Sequence, residues 1–191
     1  MFSRILFIIR YWLIWILVFQ LGRIAFLFFN RAEAIPAGFS QNAGSLWYGM
    51  RMDMSMAAYI TIPVALFLLV GLMLDFFNKP FLYKFFTALV LFFVLLAFVT
   101  DINAYKAWGN RLDAGIFKYL KNPKEAYASV ANLPVFWILF GFLLIWWGSF
   151  ILFKKFLQRQ FAKFEQGKYS WQNALMILLL MGLFIIPLRG G

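Results

Sequence analysis

The side chains best suited to bind a ligand are charged and phenolic groups that border long apolar stretches. Arg51 and Asp53 come just before the second of these stretches and are two residues apart. On a helix they would point to nearly opposite sides, so we expect one to face the loop and the other the bundle. An aspartate there suits the positive end of a helix dipole, and an arginine suits a phosphate. The segment therefore predicts either a plain helix start or an anchor for a lipid head group or another domain.

Arg23 lies inside the first apolar stretch, roughly two helical turns from its outer end. An ionised side chain costs about 2.5–3.5 kcal/mol at the centre of a membrane helix and somewhat less off-centre. Arg23 therefore needs a partner or a water-filled pocket, and Asp53 and Asp101 are the acids expected at a matching height. A structural ion pair, or snorkelling of the side chain to the surface, would explain Arg23 without any ligand.

The segment that follows the third apolar stretch combines an acid, a phenol and a guanidinium. Asp101, Tyr105 and Trp108 are spaced i, i+4 and i+7, so they share one face if the third helix continues outward. Tyr105 can donate to Asp101 or to a phosphate, and Arg111 can bind a phosphate through two parallel hydrogen bonds. An ordinary polar helix end is the alternative. The hypothesis is one polar cluster on the outer face, made of Arg23, Arg51, Asp53, Asp101, Tyr105 and Arg111.

Further basic side chains follow this segment, and they could meet lipid phosphates from a helix lying on the membrane surface. Non-specific attraction of about 1 kcal/mol per residue near an anionic surface would explain them without a dedicated site. They are Lys106, Arg111, Lys118, Lys121 and Lys124.

Several classes of chemistry are excluded by composition. The 191 residues include no His and no Cys, which excludes a zinc site that needs those ligands, a His-based triad, a disulfide framework and c-type haem attachment. Seven acids make a carboxylate-rich two-metal site unexpected. No nucleophile stands in a recognisable spacing with a base. We expect no cofactor in this chain and no catalysis by these residues alone.

The elements that must position the cluster are membrane-spanning helices. Hydrophobic residues make up 64% of the chain, against about 45–50% in soluble domains, and a helix that crosses the hydrocarbon needs about 20 mostly apolar residues. The sequence predicts an all-α membrane protein with five transmembrane helices, and two short interfacial helices in the outer loop between spans three and four. The predicted spans are 11–29, 54–74, 81–100, 133–153 and 171–188.

Charge fixes the expected partners and orientation. The net charge of +11 favours anionic lipid head groups, and it does not favour nucleic acid because the charges sit between apolar spans. Five crossings put the two termini on opposite sides. The dense basic run from Lys154 to Lys168 favours the cytoplasm for that loop, so we expect a cytoplasmic N-terminus and an extracytoplasmic C-terminus.

The order of these features resembles the membrane region of the lipoteichoic-acid-synthase-like proteins. That group comprises membrane-anchored sulfatases and transferases of phosphoglycerol or phosphoethanolamine. The resemblance covers essentially the whole chain. Its motifs are WYGMRMDMS at 47–55, the segment 101–113, YLKNPKEA at 119–126 and RGG at 189–191.

The resemblance implies a five-span domain over 1–188 and, at 189–191, the start of a linker to an extracytoplasmic domain of the alkaline phosphatase superfamily. The divalent metal and the threonine nucleophile belong to that domain, so no catalytic or metal-binding residue is assigned here. The implied partners are phospholipids and that domain, in the cytoplasmic (inner) membrane of a bacterium, with a transferase or hydrolase as the whole enzyme. The alternatives are a small stand-alone transporter or flippase subunit, disfavoured by the near absence of mid-span charges, and a structural assembly partner.

Overall fold

Five long helices make up the structure, a computed structural model that describes residues 2–111, 134–162, 164 and 171–189. All five are long and apolar enough to cross a membrane, and no strand occurs in the described ranges. The five-span prediction is confirmed, and the chain is a multi-pass membrane protein. The predicted interfacial helices fall on 112–133, outside the described residues. The helices are α1 (Phe2–Phe29), α2 (Arg31–Val70), α3 (Pro80–Trp108), α4 (Val135–Phe161) and α5 (Trp171–Arg189).

Most helices extend beyond the predicted spans at one end or both, although α2 ends four residues before, and α4 begins two residues after, the predicted bound. The largest difference is at α2, which begins at Arg31 instead of near residue 54, so the predicted loop between spans one and two is helical. Hydropathy finds only the part of a helix that lies in hydrocarbon, and the first half of α2 lies beyond it. Trp47 and Tyr48 are exposed on this half, as expected of aromatic side chains at a membrane interface. A short 3-10 helix, Asp75–Asn78, joins α2 to α3.

A glycine divides α2 into two parts. Gly38 has φ 79° and ψ 166°, a conformation that only glycine adopts without strain because a Cβ would clash with the backbone. Residues 39–70 then rise about 48 Å as a continuous helix, which exceeds the hydrocarbon thickness of about 30 Å. The second part is therefore longer than its apolar stretch, and Gly49 and Asp53 lie just before that stretch begins.

Aromatic side chains close one end of the bundle. This end, which holds Phe7 and Tyr83, is called the inner end below, and the end that holds Arg23 and Asp101 is called the outer end. Both Phe7 and Tyr83 are fully buried. The Phe7 ring lies within 6.2 Å of five other aromatic rings, those of Tyr11, Tyr83, Phe156, Phe161 and Phe164. Helices α1, α3 and α4 thus meet through tightly packed rings at the inner end.

Hydrogen bonds of aromatic side chains hold α1 against its two neighbours. The hydroxyls of Tyr11 and Thr87 lie 3.0 Å apart and join α1 to α3 inside the buried core. The Trp12 indole N–H donates to the carbonyl of Met54 over 3.1 Å and joins α1 to α2. In a membrane such polar contacts and close packing replace the hydrophobic driving force between helices. They fix the height at which α1 presents its polar side chains to α2.

Replacing Gly38 by Ala should strain the break in α2, because no other atom lies within 4 Å of the new Cβ and only the backbone conformation opposes it. We expect a loss of about 1–3 kcal/mol in the free energy of unfolding. Gly44→Ala, in a helical stretch of α2 where the Cβ would make ordinary contact with Tyr48, is the control and should stabilise by about 0.5–1 kcal/mol. Thermal unfolding in detergent, followed by circular dichroism, measures both, and equal midpoints would contradict the strained break.

Candidate functional site

A two-pronged ion pair joins α1 to α2 at the outer end. Arg23 Nη2 lies 2.8 Å from Asp53 Oδ1, and Arg23 Nε lies 2.9 Å from Asp53 Oδ2. The Asp53 side chain is 6% exposed and the Arg23 side chain 23%. Paired hydrogen bonds between a guanidinium and a carboxylate are among the strongest in proteins. The sequence left Arg23 with a partner, a water-filled pocket or a path to the surface, and the structure gives it a partner, Asp53, one of the two acids expected at its height.

Two further groups complete the hydrogen bonding of this pair. The Gln20 side-chain amide donates to Asp53 Oδ2 over 3.0 Å and to the carbonyl of Leu46 over 3.2 Å. Arg23 Nη2 also donates to the carbonyl of Gly49 over 3.2 Å. Each carboxylate oxygen therefore accepts from at least two donors. Sequence reasoning missed Gln20, although its position three residues before Arg23 placed both on one face of α1.

Gly49 is the position on α2 that makes room for the Arg23 guanidinium. A Cβ at this position would collide with the guanidinium carbon and two of its nitrogens. Gly49 precedes Asp53 by four residues, so one face of α2 offers first a bare backbone and then a carboxylate. Sequence reasoning included Gly49 in a motif without giving it a role, because a close approach between two helices leaves no periodic signal in one of them.

A second ion pair lies on α3 and the turn that follows it. Arg111 Nη2 and Nε lie 2.7 and 3.2 Å from Asp101 Oδ2. Helix α3 ends at Trp108, and the next residue, Gly109, has a φ of 69° that turns the chain back. Arg111 can therefore reach Asp101, ten residues before it in the sequence. The Arg111 side chain is 56% exposed and that of Asp101 14%. This pair is thus the accessible one, whereas the pair between Arg23 and Asp53 is enclosed.

One phenylalanine of α1 supports the second pair. The guanidinium carbon of Arg111 lies over the Phe26 ring, 4.6 Å from its centroid, in a cation–π contact. The Tyr105 ring meets Phe26 edge-on at 5.1 Å. Tyr105 therefore packs beside the site and helps to position the ring on which Arg111 rests.

Arg51 and Asp53 separate as the spacing predicts. Asp53 is buried in the bundle and Arg51 is exposed on the other side of α2, so the expectation that one faces each way is confirmed. Arg51 does not line the cavity that Arg23, Asp53, Asp101 and Arg111 share. The polar cluster is therefore smaller than the sequence hypothesis, which grouped both residues with the others.

A cavity of about 190 Å³ brings both ion pairs to one lining. Arg23, Asp53, Asp101 and Arg111 all contribute to its wall, so four of the six predicted side chains converge. Its apolar walls are Phe19, Gly22, Phe26, Met52, Met56, Phe98 and Ile102. Two guanidinium and two carboxylate groups give this lining a formal charge of zero. It can therefore donate hydrogen bonds to a phosphate and accept them from an ammonium or a hydroxyl in the same space.

The lining of this cavity offers a metal ion two acidic side chains, Asp53 and Asp101. Within the part of the chain that the structure describes, no three His, Cys, Asp or Glu side chains come together as a metal site would require. Asp53 and Asp101 are each engaged by an arginine.

No protein-family model, no curated protein and no solved structure matches this chain. The resemblance to the lipoteichoic-acid-synthase-like proteins therefore stays a prediction from the sequence motifs.

Removing one partner of the enclosed ion pair should destabilise the protein more than removing both. Asp53→Leu leaves the Arg23 charge without its counter-ion, and we expect a loss of about 3–5 kcal/mol in the free energy of unfolding. The double variant Arg23→Met/Asp53→Leu leaves no charge unpaired and should unfold close to the wild type. Thermal unfolding in detergent gives the comparison. If the double variant loses as much stability as Asp53→Leu alone, or more, the charges of Arg23 and Asp53 do not depend on each other in this way.

Proposed function

We propose that this chain is the membrane domain of a sulfatase-like enzyme that transfers or hydrolyses phospholipid head groups, and that its outer end holds the lipid. The observation that carries the proposal is the cavity of about 190 Å³ lined by two arginine–aspartate pairs. A charge near hydrocarbon is costly. The pair between Arg23 and Asp53 joins α1 to α2, but Asp101 and Arg111 both belong to α3 and the turn after it, so their pairing is not needed to join two helices. The motif resemblance supports the enzyme class, and the cavity supports the lipid.

The electroneutral lining favours a particular kind of head group. A phosphate monoester, as in phosphatidic acid, carries up to two negative charges and no ammonium or hydroxyl donor, and each guanidinium here already faces a carboxylate. A zwitterionic or hydroxylated head group supplies both donors and acceptors, so its phosphate can accept from Arg111 while its ammonium or hydroxyl donates to Asp101. The proposed ligands are therefore lipids of the phosphatidylethanolamine or phosphatidylglycerol type.

The two ion pairs have different roles in this proposal. Arg23 and Asp53 are enclosed and fully engaged, so they position α1 against α2. Arg111 and Asp101 are more exposed and rest on Phe26, so they are the groups that contact the head group. Arg51 is exposed on the far side of α2 and suits contact with a domain above the membrane.

The inner end of the bundle argues against the alternative of a transporter or flippase subunit. A transported polar group would have to pass between α1, α3 and α4, where the rings around Phe7 and Tyr83 are packed together. Several polar side chains of the described helices lie at this depth and are packed into the bundle. The hydroxyls of Tyr11 and Thr87 are buried and bonded to each other, and the Tyr83 hydroxyl donates to the carbonyl of Phe77. Arg4 is buried, with its guanidinium over the Phe164 ring. A site that a lipid enters from the outer leaflet alone fits this closed inner end better.

The proposed orientation is tested by labelling single cysteines, because the natural chain has none. Ser40→Cys and Asp75→Cys replace exposed residues at the outer and inner ends. In intact cells a membrane-impermeant maleimide should label Ser40→Cys and not Asp75→Cys, and permeabilised cells should show both labelled. The reverse pattern in intact cells would overturn the proposal that the cavity faces the outer leaflet.

The head-group role is tested by lipid competition. The purified chain is equilibrated in detergent with equal amounts of dioleoylphosphatidylethanolamine, dioleoylphosphatidylglycerol and dioleoylphosphatidic acid, and the retained lipid is identified by mass spectrometry. We expect the first two to be retained over phosphatidic acid. Arg111→Ala should weaken that retention at least about tenfold, the value of a charge-assisted hydrogen bond.

Arg159→Ala is the matched control, since it removes an arginine from the inner end of α4 and should leave the lipid selection unchanged. Equal retention by the wild type and Arg111→Ala, or no selection among the three lipids, would contradict the head-group role.

A further inference from the structure

A larger, mainly apolar groove of about 570 Å³ runs along α1, α3 and α4 beside the polar cavity. Binding sites for small molecules measure about 300–1,000 Å³, so the groove is large enough to hold a ligand. Its polar side chains include Asn103 and Lys106 near the outer end of α3. Much of its wall consists of aliphatic and aromatic side chains, among them Leu21, Leu91, Leu95, Ile138, Phe142 and Ile145.

The groove has the length and direction of a lipid chain. On α3 its lining extends from Leu91 to Lys106, and these fifteen steps correspond to about 22 Å along a helix. One leaflet contributes about 15 Å of the hydrocarbon core. The groove therefore follows the membrane normal through the outer leaflet, with its charged end where lipid phosphates lie.

Lys106 gives the outer end of the groove a charge that the polar cavity lacks. Its Nζ lies 5.6 Å from the centroid of the Phe29 ring, and among the described residues it takes part in no ion pair. The two arginines of the polar cavity, in contrast, each face a carboxylate. A phosphate at the end of the groove would thus meet an ammonium group whose charge no described acid offsets.

The groove and the polar cavity share one wall. Gly22, Phe98 and Ile102 line both of them. A Cβ at Gly22 would lie 2.5 Å from the Phe98 ring, so the bare backbone of α1 allows that ring to lie against it. A lipid whose chain lies in the groove would have its head group directly beside the two ion pairs.

We infer that the groove binds one acyl chain of a glycerophospholipid, with the phosphate of that lipid between Lys106 and Arg111 and the rest of its head group directed to Asp101 in the polar cavity. This inference deepens the proposed function and rests on it. The driving force is the fit of the chain and the charge of Lys106, because a lipid chain that leaves the bilayer for the groove gains no hydrophobic free energy. A second copy of this chain is the competing occupant, and the cation at the groove's end disfavours it.

Filling the groove tests the inference directly. Gly141 lines the groove on α4, and a Cβ added there would have no atom within 4 Å, so the side chain of Gly141→Phe starts in open space and places its ring in or over the groove. Gly148→Phe is the matched control, since Gly148 is two turns further along α4, has equally open surroundings and does not line the groove. Lys106→Gln removes the charge alone.

The measurement is the amount of lipid retained per chain after gel filtration in detergent, with dioleoylphosphatidylglycerol or dioleoylglycerol as the probe. We expect the wild type and Gly148→Phe to retain phosphatidylglycerol and Gly141→Phe to lose it. Lys106→Gln should weaken phosphatidylglycerol about fivefold, the effect of one basic residue near an anionic surface, and should not change dioleoylglycerol, which has no phosphate.

The outcomes separate this inference from the proposed function. Loss of lipid in Arg111→Ala with full retention in Gly141→Phe would overturn the groove and leave the head-group role intact. Loss in Gly141→Phe with full retention in Arg111→Ala would support the groove and overturn the head-group role. A wild-type chain that elutes as a dimer, and that Gly141→Phe converts to a monomer without any change in bound lipid, would show that a second copy occupies the groove.

Discussion

A charge at the edge of the hydrocarbon must have a partner, and the ion pair between Arg23 and Asp53 is how this bundle meets that constraint. The pair sets the rotation and height of α1 relative to α2, and the rest of the outer end follows from it. Gln20 is held in place because the carboxylate has a further oxygen lone pair to satisfy. Gly49 must lack a side chain because the guanidinium lies against the backbone there. One pairing thus accounts for four neighbouring positions on two helices.

The two ends of the bundle are built on opposite principles. At the inner end, rings from α1, α3 and α4 fill the space between the helices. The hydroxyls of Tyr11 and Thr87 bond to each other there, and the Tyr83 hydroxyl donates to a backbone carbonyl. At the outer end the same three helices leave a groove, and α1, α2 and α3 leave a polar cavity beside it. A bundle closed below and open above suits a protein that receives a molecule from one leaflet and keeps it there.

The sequence predicts the number of spans, because hydropathy can be calculated from one chain. It also predicts that Arg23 needs a partner or a water-filled pocket, because the cost of a charge inside an apolar stretch does not depend on knowing the fold. It predicts the C-terminal end of α1, the start of α3 and both ends of α5 to within one residue, but it misses the other helix ends and does not show which faces meet. In a bilayer, side chains that face lipid and side chains that face the core are equally apolar, so helical periodicity carries little signal. The early start of α2 and the turn at Gly109 that returns Arg111 to Asp101 lie outside what such patterns contain. The roles of Gln20 and Gly49 were not predicted for the same reason, because each depends on a side chain of a facing helix.

The ring of Phe98 is a partition between two compartments of different polarity, and it stands where it does because position 22 is a glycine. Any larger residue at that position would push the ring away from α1 and change the size of both compartments at once. A single substitution at this position would thus change how the polar part and how the apolar part of a bound molecule fit. Selectivity for the polar part and selectivity for the apolar part can therefore not change independently at this wall. A substitution at Gly22 would require a compensating substitution at Phe98, and the reverse is also true.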